Sequence, residues 1–191
     1  MPQRYTLNDI PHIVNKSIFF DANIIIYLFW PIYDKYDNSK KYASFFKALV
    51  QQKNTCVINI TVLSEVINRI IRLEQYNLNL QSERFKDFRN SPEGTKVQKD
   101  IFSIVENTIL KVFTLTDQSL SIDDVIKYLQ TDTLDFNDKI IADICKKNGM
   151  ILLTNDADFS AADIDILSAN TKLCTTQSQK NKAKVSGRNC V

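Results

Sequence analysis

Ser17-Ile18-Phe19-Phe20-Asp21-Ala22-Asn23-Ile24-Ile25-Ile26-Tyr27 is the stretch that decides the fold. Ile18-Phe19-Phe20 is an apolar run too short for a helix and bounded by polar residues, which predicts a buried strand. Asp21 stands where that strand ends. Ala22 to Trp30 follow as an apolar helical segment stopped by Pro31. A strand that hands over to a helix through one carboxylate predicts an α/β protein with Asp21 at the carboxyl edge of its sheet, where open sheets bind ligands.

The chain has 191 residues, 44% hydrophobic and 24% charged, enough to bury one core. No apolar run approaches the ~20 residues of a membrane span. The first sixteen residues lack the apolar core of a secretory signal, so a cytoplasmic protein with no membrane partner is expected. Cys56, Cys145, Cys174 and Cys190 show neither a CxxC pair nor metal spacing, and His12 is the single histidine. A Ser-His-Asp triad or a histidine-rich zinc site has almost nothing to be built from.

Working outward, helical spacing predicts a helix from Asn38 or Ser39 to about Gln52, and Thr55 to Ile60 a second strand. A helix from about Thr61 has Val62, Leu63, Val66, Ile67, Ile70 and Ile71 on one stripe, with Glu65 and Arg69 on the other. Residues 77–95 read as a polar helical excursion, followed by an amphipathic helix to about Lys111 and a strand candidate at Val112–Leu115. Ser121 to Asp124 matches a capping box that opens a helix through Leu129. Asp135 to Asn148 is a helix marked at both ends, with Asp135 as its cap and Gly149 beyond it. Met150 to Leu153 is a strand, and Ile164 to Leu167 a last edge strand.

Strands alternating with helices predict a three-layer α/β sandwich, a central and mostly parallel sheet flanked by helices. Residues 1–171 are expected to form one domain. Residues 172–191 carry five basic residues and no acid and are expected to be a disordered tail, leaving the body with 19 basic against 22 acidic residues. The net charge of +2 does not by itself mark the folded part as a nucleic-acid binder.

Asp21 and Asp156 each end a predicted strand, while Glu65 and Asp138 each lie in the first turn or so of a following helix. Right-handed crossovers bring strand ends and the next helix starts to one edge, so all four acids are expected there. Four carboxylates in one cleft repel one another, and a divalent cation removes the problem. All-oxygen ligation points to Mg²⁺ or Mn²⁺. Without a histidine base, the chemistry falls to a metal-activated water attacking a phosphodiester. Asn23, Thr61, Asn155 and Asp158 are the candidates to hold the ligands' rotamers.

Phe20-Asp21-Ala22-Asn23-Ile24-Ile25-Ile26-Tyr27, Thr61-Val62-Leu63-Ser64-Glu65, Asp135-Phe136-Asn137-Asp138-Lys139-Ile140-Ile141-Ala142 and Leu153-Thr154-Asn155-Asp156-Ala157-Asp158-Phe159 resemble, in this order, the motifs of PIN-domain ribonucleases. The resemblance covers about Ile18 to Leu167. It implies a metal-dependent endonuclease directed at single-stranded RNA, with Asp21, Glu65, Asp138 and Asp156 as the matching acids. Many such proteins are the toxin of a bacterial toxin–antitoxin pair, usually homodimeric and inhibited by a small antitoxin protein. This chain departs from the small toxins in its N-terminal extension, the 77–95 excursion, the basic tail, and Lys139 in place of a small residue. Two other readings stand beside the nuclease: a non-catalytic RNA- or protein-binding module of the same fold, and an acid/Mg²⁺ phosphatase of another α/β fold.

Overall fold

The computed structural model describes residues 1–30, 37–116 and 118–174. Six strands form one sheet: β1 (Arg4–Tyr5), β2 (Ser17–Phe20), β3 (Thr55–Ile58), β4 (Thr114–Leu115), β5 (Ile151–Leu153) and β6 (Ile166–Leu167). The helices are α1 (Ala22–Phe29), α2 (Asn38–Gln51), α3 (Ile60–Asn77), α4 (Phe85–Asn90), α5 (Pro92–Ile104), α6 (Leu110–Val112), α7 (Ile122–Tyr128), α8 (Phe136–Asn148) and α9 (Thr171–Cys174). A π-helical turn at Val105–Ile109 joins α5 to α6 within the helix expected to run to Lys111.

The strand order is β1-β6-β5-β2-β3-β4, and every paired neighbour is parallel. The expected "mostly parallel" sheet is therefore wholly parallel among the described residues. Ile18, Phe19 and Phe20 lie opposite Ile151, Leu152 and Leu153, and all six are buried. Such fully apolar strands are what a sheet covered by helices on both faces requires. The chain steps from β2 to β3 to β4 on one side, then returns to β5 on the other side of β2. Right-handed crossovers consequently place α1 to α6 over one face and α7 and α8 over the other. The packing of α1 on α2 and α3, of α3 on α5, and of α7 on α8 agrees. The direction of winding reverses between β2 and β5, the position at which open α/β sheets bind ligands.

Ile164–Leu167 was expected to be an edge strand, but β6 is interior, flanked by β5 and β1. The added edge is held by more than its two-residue ladder. Arg4 donates to the carbonyls of Ile164 at 2.5 Å and Ala162 at 2.8 Å, and the Gln3 amide donates to Asp165 at 2.7 Å.

Two further boundaries differ from expectation. Helix α3 begins at Ile60, because Asn59 caps it by accepting from the Val62 amide at 2.8 Å. Residues 172–174 of the expected tail belong instead to α9, where Leu173 is buried; residues 175–191 lie outside the described residues, as does most of the Tyr33–Asp37 loop. The 77–95 segment is tied to the body through fully buried Phe88 and through Arg72, whose guanidinium sits 3.9 Å over the Phe85 ring. A Cβ on Gly94 would stand 2.1 Å from the Phe88 carbonyl, so α4 and α5 approach closely only with glycine there.

Candidate active site

The carboxyl ends of β2 and β5 open into a cleft of about 330 Å³. Asp21, Glu65, Asp138 and Asp156, distant in sequence, all line it, and so do Asn23 and Asp158. Its further wall is the loop Asp132-Thr133-Leu134 with Asp135.

Asp21 is the most deeply set of these acids, 6% exposed. As the cap of α1, it accepts from the Ala22 amide through Oδ1 at 2.6 Å. Its Oδ2 accepts from the Asn23 side-chain amide and from the Thr154 hydroxyl, each at 2.6 Å. A carboxylate has about four lone-pair sites. Three of them are used, and one is left for a ligand. The cap and site readings of Asp21 are thus compatible: one oxygen closes the helix, and the other is oriented by two side-chain donors. Burial pushes its pKa up to about 6, with Glu65 and Asp156 adding repulsion and the hydrogen bonds from Thr154 and Ala22 opposing it.

Thr154 is the hub between the two central strands. Its hydroxyl donates to Asp21 and accepts from the Asp156 amide at 3.0 Å. Asp156 in turn caps a short 3₁₀ turn by accepting from the Asp158 amide at 3.0 Å. Asn23 reaches across as well, its Oδ1 accepting from the Asn155 amide at 3.2 Å. Beneath them, buried Tyr42 donates to Asn155 Oδ1 at 2.9 Å and accepts from the Ala169 amide at 3.1 Å. Sequence periodicity marked Tyr42 only as a core position. Its need for a hydrogen-bond partner when buried was the available signal that it braces the strand end. Thr154 stood inside the quoted motif without an assigned role.

Asp135 caps α8, accepting from the Asp138 amide at 2.8 Å, which frees the Asp138 carboxyl for the cleft. Burial pushes Asp138 up to about 7, and the charges of Asp135, Asp21 and Asp156 add to it. Two carboxyls on different elements are thus raised chiefly by burial, with the neighbouring acids' charges adding to it.

Glu65 lies one turn in from the start of α3, past the stretch where the helix-terminal partial charge acts. Its counter-charge is Arg69, one turn on, at 3.1 Å. Thr61 is half-buried on the same helix and is not among the cleft residues.

Lys139 follows Asp138 but turns to the wall. Its ammonium donates to the carbonyls of Tyr128 and Gln130 and pairs with Asp132 at 3.3 Å, with the side chain only 10% exposed. It ties the end of α7 to the loop that closes the cleft. Helix α8 is further fixed to α7 by Tyr128, which donates to Asp143 at 2.6 Å.

The fit to a divalent cation follows from the donors. The cleft is lined by seven carboxylates against one guanidinium, with no histidine or thiol. Among the described residues, no three acidic, histidine or cysteine side chains close on a single point. Mg²⁺ retains several waters and is commonly held through only one or two carboxylates. A ring of acids around a polar cleft therefore suits a hydrated hard ion better than a chelate cage.

Comparison with known proteins agrees with the topology. The chain is similar in structure to FitAcB from Neisseria gonorrhoeae, with TM-score 0.51 and 16% identity over 78% of this chain and 96% of that one. It is likewise similar to VapBC2 from Rickettsia felis, solved bound to a DNA fragment from their promoter, with TM-score 0.50 and 16% identity over 81% and 99% of the two chains. At that identity the likeness shows the fold alone. No curated protein matches the chain. A family model described as PIN domain matches residues 18–165, from the start of the β2 apolar run to the residue before β6. The chain belongs to the PIN domain family.

Proposed function

We propose that this PIN domain is a divalent-metal-dependent endoribonuclease that hydrolyses RNA phosphodiester bonds. The observation that carries the reading is the gathering of Asp21, Glu65, Asp138 and Asp156 around one cleft at the reversal point of the sheet. Two of these carboxyls are already raised toward neutrality by burial and by the others' charge. Those acids would hold Mg²⁺ or Mn²⁺, directly or through water. Such an ion supplies a water of lowered pKa and offsets charge on the phosphoryl oxygens.

The chain's own residues do the rest. Thr154 and Asn23 fix the Asp21 rotamer, and the Thr154 hydroxyl sets the position of the Asp156 backbone. Asp138, whose carboxyl is left free for the cleft by the Asp135 cap, is placed to hold the ion or to orient the attacking water. The water oxygen forms the new bond to phosphorus, the ester bond to the neighbouring nucleotide breaks, and the leaving oxygen takes a proton from solvent. In the cell, the chain would be a cytoplasmic toxin, homodimeric and held by an antitoxin protein; of these, the antitoxin partner is the part that the likeness in fold to FitAcB and VapBC2 favours.

The test is cleavage of single-stranded RNA by purified protein with Mg²⁺, with Mn²⁺ and with EDTA. Cleavage is expected only with the ions, and Asp21→Asn and Asp156→Asn are each expected to lower kcat by about 10²-fold or more. Undiminished cleavage by either variant contradicts the assignment. The same assay separates this reading from a second one, a non-catalytic binding module of the same fold. RNA binding that needs no metal, with no cleavage at any ion concentration, decides for it.

A further inference from the structure

Arg69 is the one basic side chain among the residues that line the cleft, facing seven carboxylates. It lies on α3 one turn after Glu65, at the spacing where opposite charges meet on a helix surface. Its Nη1 donates to Glu65 Oε1 at 3.1 Å, with the two side chains 50% and 31% exposed. A pair so exposed is held weakly. Arg72, one turn nearly on again, has its guanidinium over the Phe85 ring and is already committed to packing. Among the described residues that line the cleft, Arg69 is the basic one, and its ion-pair partner is the partly exposed Glu65 carboxylate.

Two consequences follow from charge. A divalent ion that engages Glu65 must compete with the guanidinium for that carboxylate. A polyanionic substrate that enters beside seven acids needs fixed positive charge to meet its phosphates, and guanidinium presents paired donors that match phosphate oxygens. Resting on the nuclease reading above, we propose that Arg69 is the phosphate-contacting residue of this cleft, parked on Glu65 until a divalent ion takes that carboxylate. It then turns its donors to a phosphate of the bound strand. No covalent step involves it: it is a substrate-binding residue whose resting partner is a site acid.

The experiment compares wild type, Arg69→Gln and Arg69→Lys in two binding measurements that do not depend on turnover. Mn²⁺ affinity is read by electron paramagnetic resonance without RNA. Affinity for a ten-nucleotide single-stranded RNA is read by fluorescence anisotropy in Ca²⁺ at several salt concentrations. Arg69→Gln is expected to bind Mn²⁺ about threefold more tightly, because the competing cation is gone. It is expected to bind RNA about tenfold more weakly, with the slope of log affinity against log salt reduced by about 0.7, the loss of one phosphate contact on a single strand. Arg69→Lys, which keeps the charge, is expected to recover most of the salt slope and only part of the affinity. A merely structural arginine would move neither the slope nor its rescue. If wild type binds both Mn²⁺ and RNA and Arg69→Gln matches it in both, the role of Arg69 is overturned while the nuclease reading stands. If wild type binds neither, both are overturned together.

Discussion

The Thr154 hydroxyl lies 2.6 Å from Asp21 Oδ2 and couples the ends of two adjacent parallel strands through a single side chain. The same oxygen accepts the Asp156 amide, so both strand-end acids of the site are set by one residue. Thr154→Val keeps the shape and removes the donor and acceptor. With one of its three hydrogen bonds gone, the buried Asp21 carboxylate is expected to rise further in pKa, and RNA cleavage to fall by about tenfold or more. Thr154→Ser is expected to retain most activity. Measuring kcat for both variants, with circular dichroism to verify folding, checks this, and equal losses in Val and Ser would point to packing rather than the hydrogen bond.

The acids also set an unusual dependence of stability on pH. Asp21, at about 6, and Asp138, at about 7, keep their protons in the folded state where the unfolded chain, near 3.8, has released them. The folded state therefore binds more protons between about pH 4 and 7, and stability from these groups falls as pH rises through that window. Asp124, held down to about 2 by the Ser121 hydroxyl and amide and by Lys147, works in the opposite sense, but only below about pH 4. In EDTA, Tm is expected to be higher near pH 5 than near pH 7.5. Added Mn²⁺ is expected to raise Tm more at pH 7.5, where the carboxylates are charged. Differential scanning calorimetry across both series checks the two signs, and equal Mn²⁺ effects at both values would contradict them.

Lys139 carries a prediction of its own. Lys139→Met preserves the buried stem and deletes the three anchors at Tyr128, Gln130 and Asp132. The expected cost is about 1–3 kcal/mol, because two carbonyls and a carboxylate lose a charged donor. Amides of residues 129–134 are expected to exchange faster while those of β2 and β5 stay protected, a difference that hydrogen exchange resolves.

Much of this arrangement was legible in the sequence, and the exceptions have physical reasons. The strand–acid–helix unit at Asp21, the capped start of α8 and the strand before Asp156 each carry a local signature: a short apolar run, a cap, a breaker. β1 carries none, since two residues cannot show alternation, and both its ladder to β6 and the added bonds of Arg4 and Asp165 join residues distant in sequence. The start of α3 falls one residue before the expected position of about Thr61, because Asn59 caps it from within an apolar run. In the site, periodicity could group the four acids on one edge. It could not show that Thr154 joins two of them, that Arg69 pairs with Glu65, or that Lys139 serves the wall. Those are contacts between side chains, which spacing along the chain does not encode.

Gly94 tests the packing of the helical excursion. A Cβ there would meet the Phe88 carbonyl at 2.1 Å, so Gly94→Ala must push α5 away from α4. Denaturant unfolding is expected to show a loss on the order of 2 kcal/mol or more, despite the better helix propensity of alanine. A neutral or stabilising result would mean that the two helices separate freely.

Crystals of the protein soaked in Mn²⁺ and measured at the manganese absorption edge test the central claim most directly. The expected result is an anomalous peak in the cleft beside Asp21, with Asp138 or Asp156 bound to the ion directly or through water, and no such peak in Asp21→Asn crystals. An empty cleft at millimolar Mn²⁺ in well-ordered wild-type crystals, or a peak that survives Asp21→Asn unchanged, would contradict it.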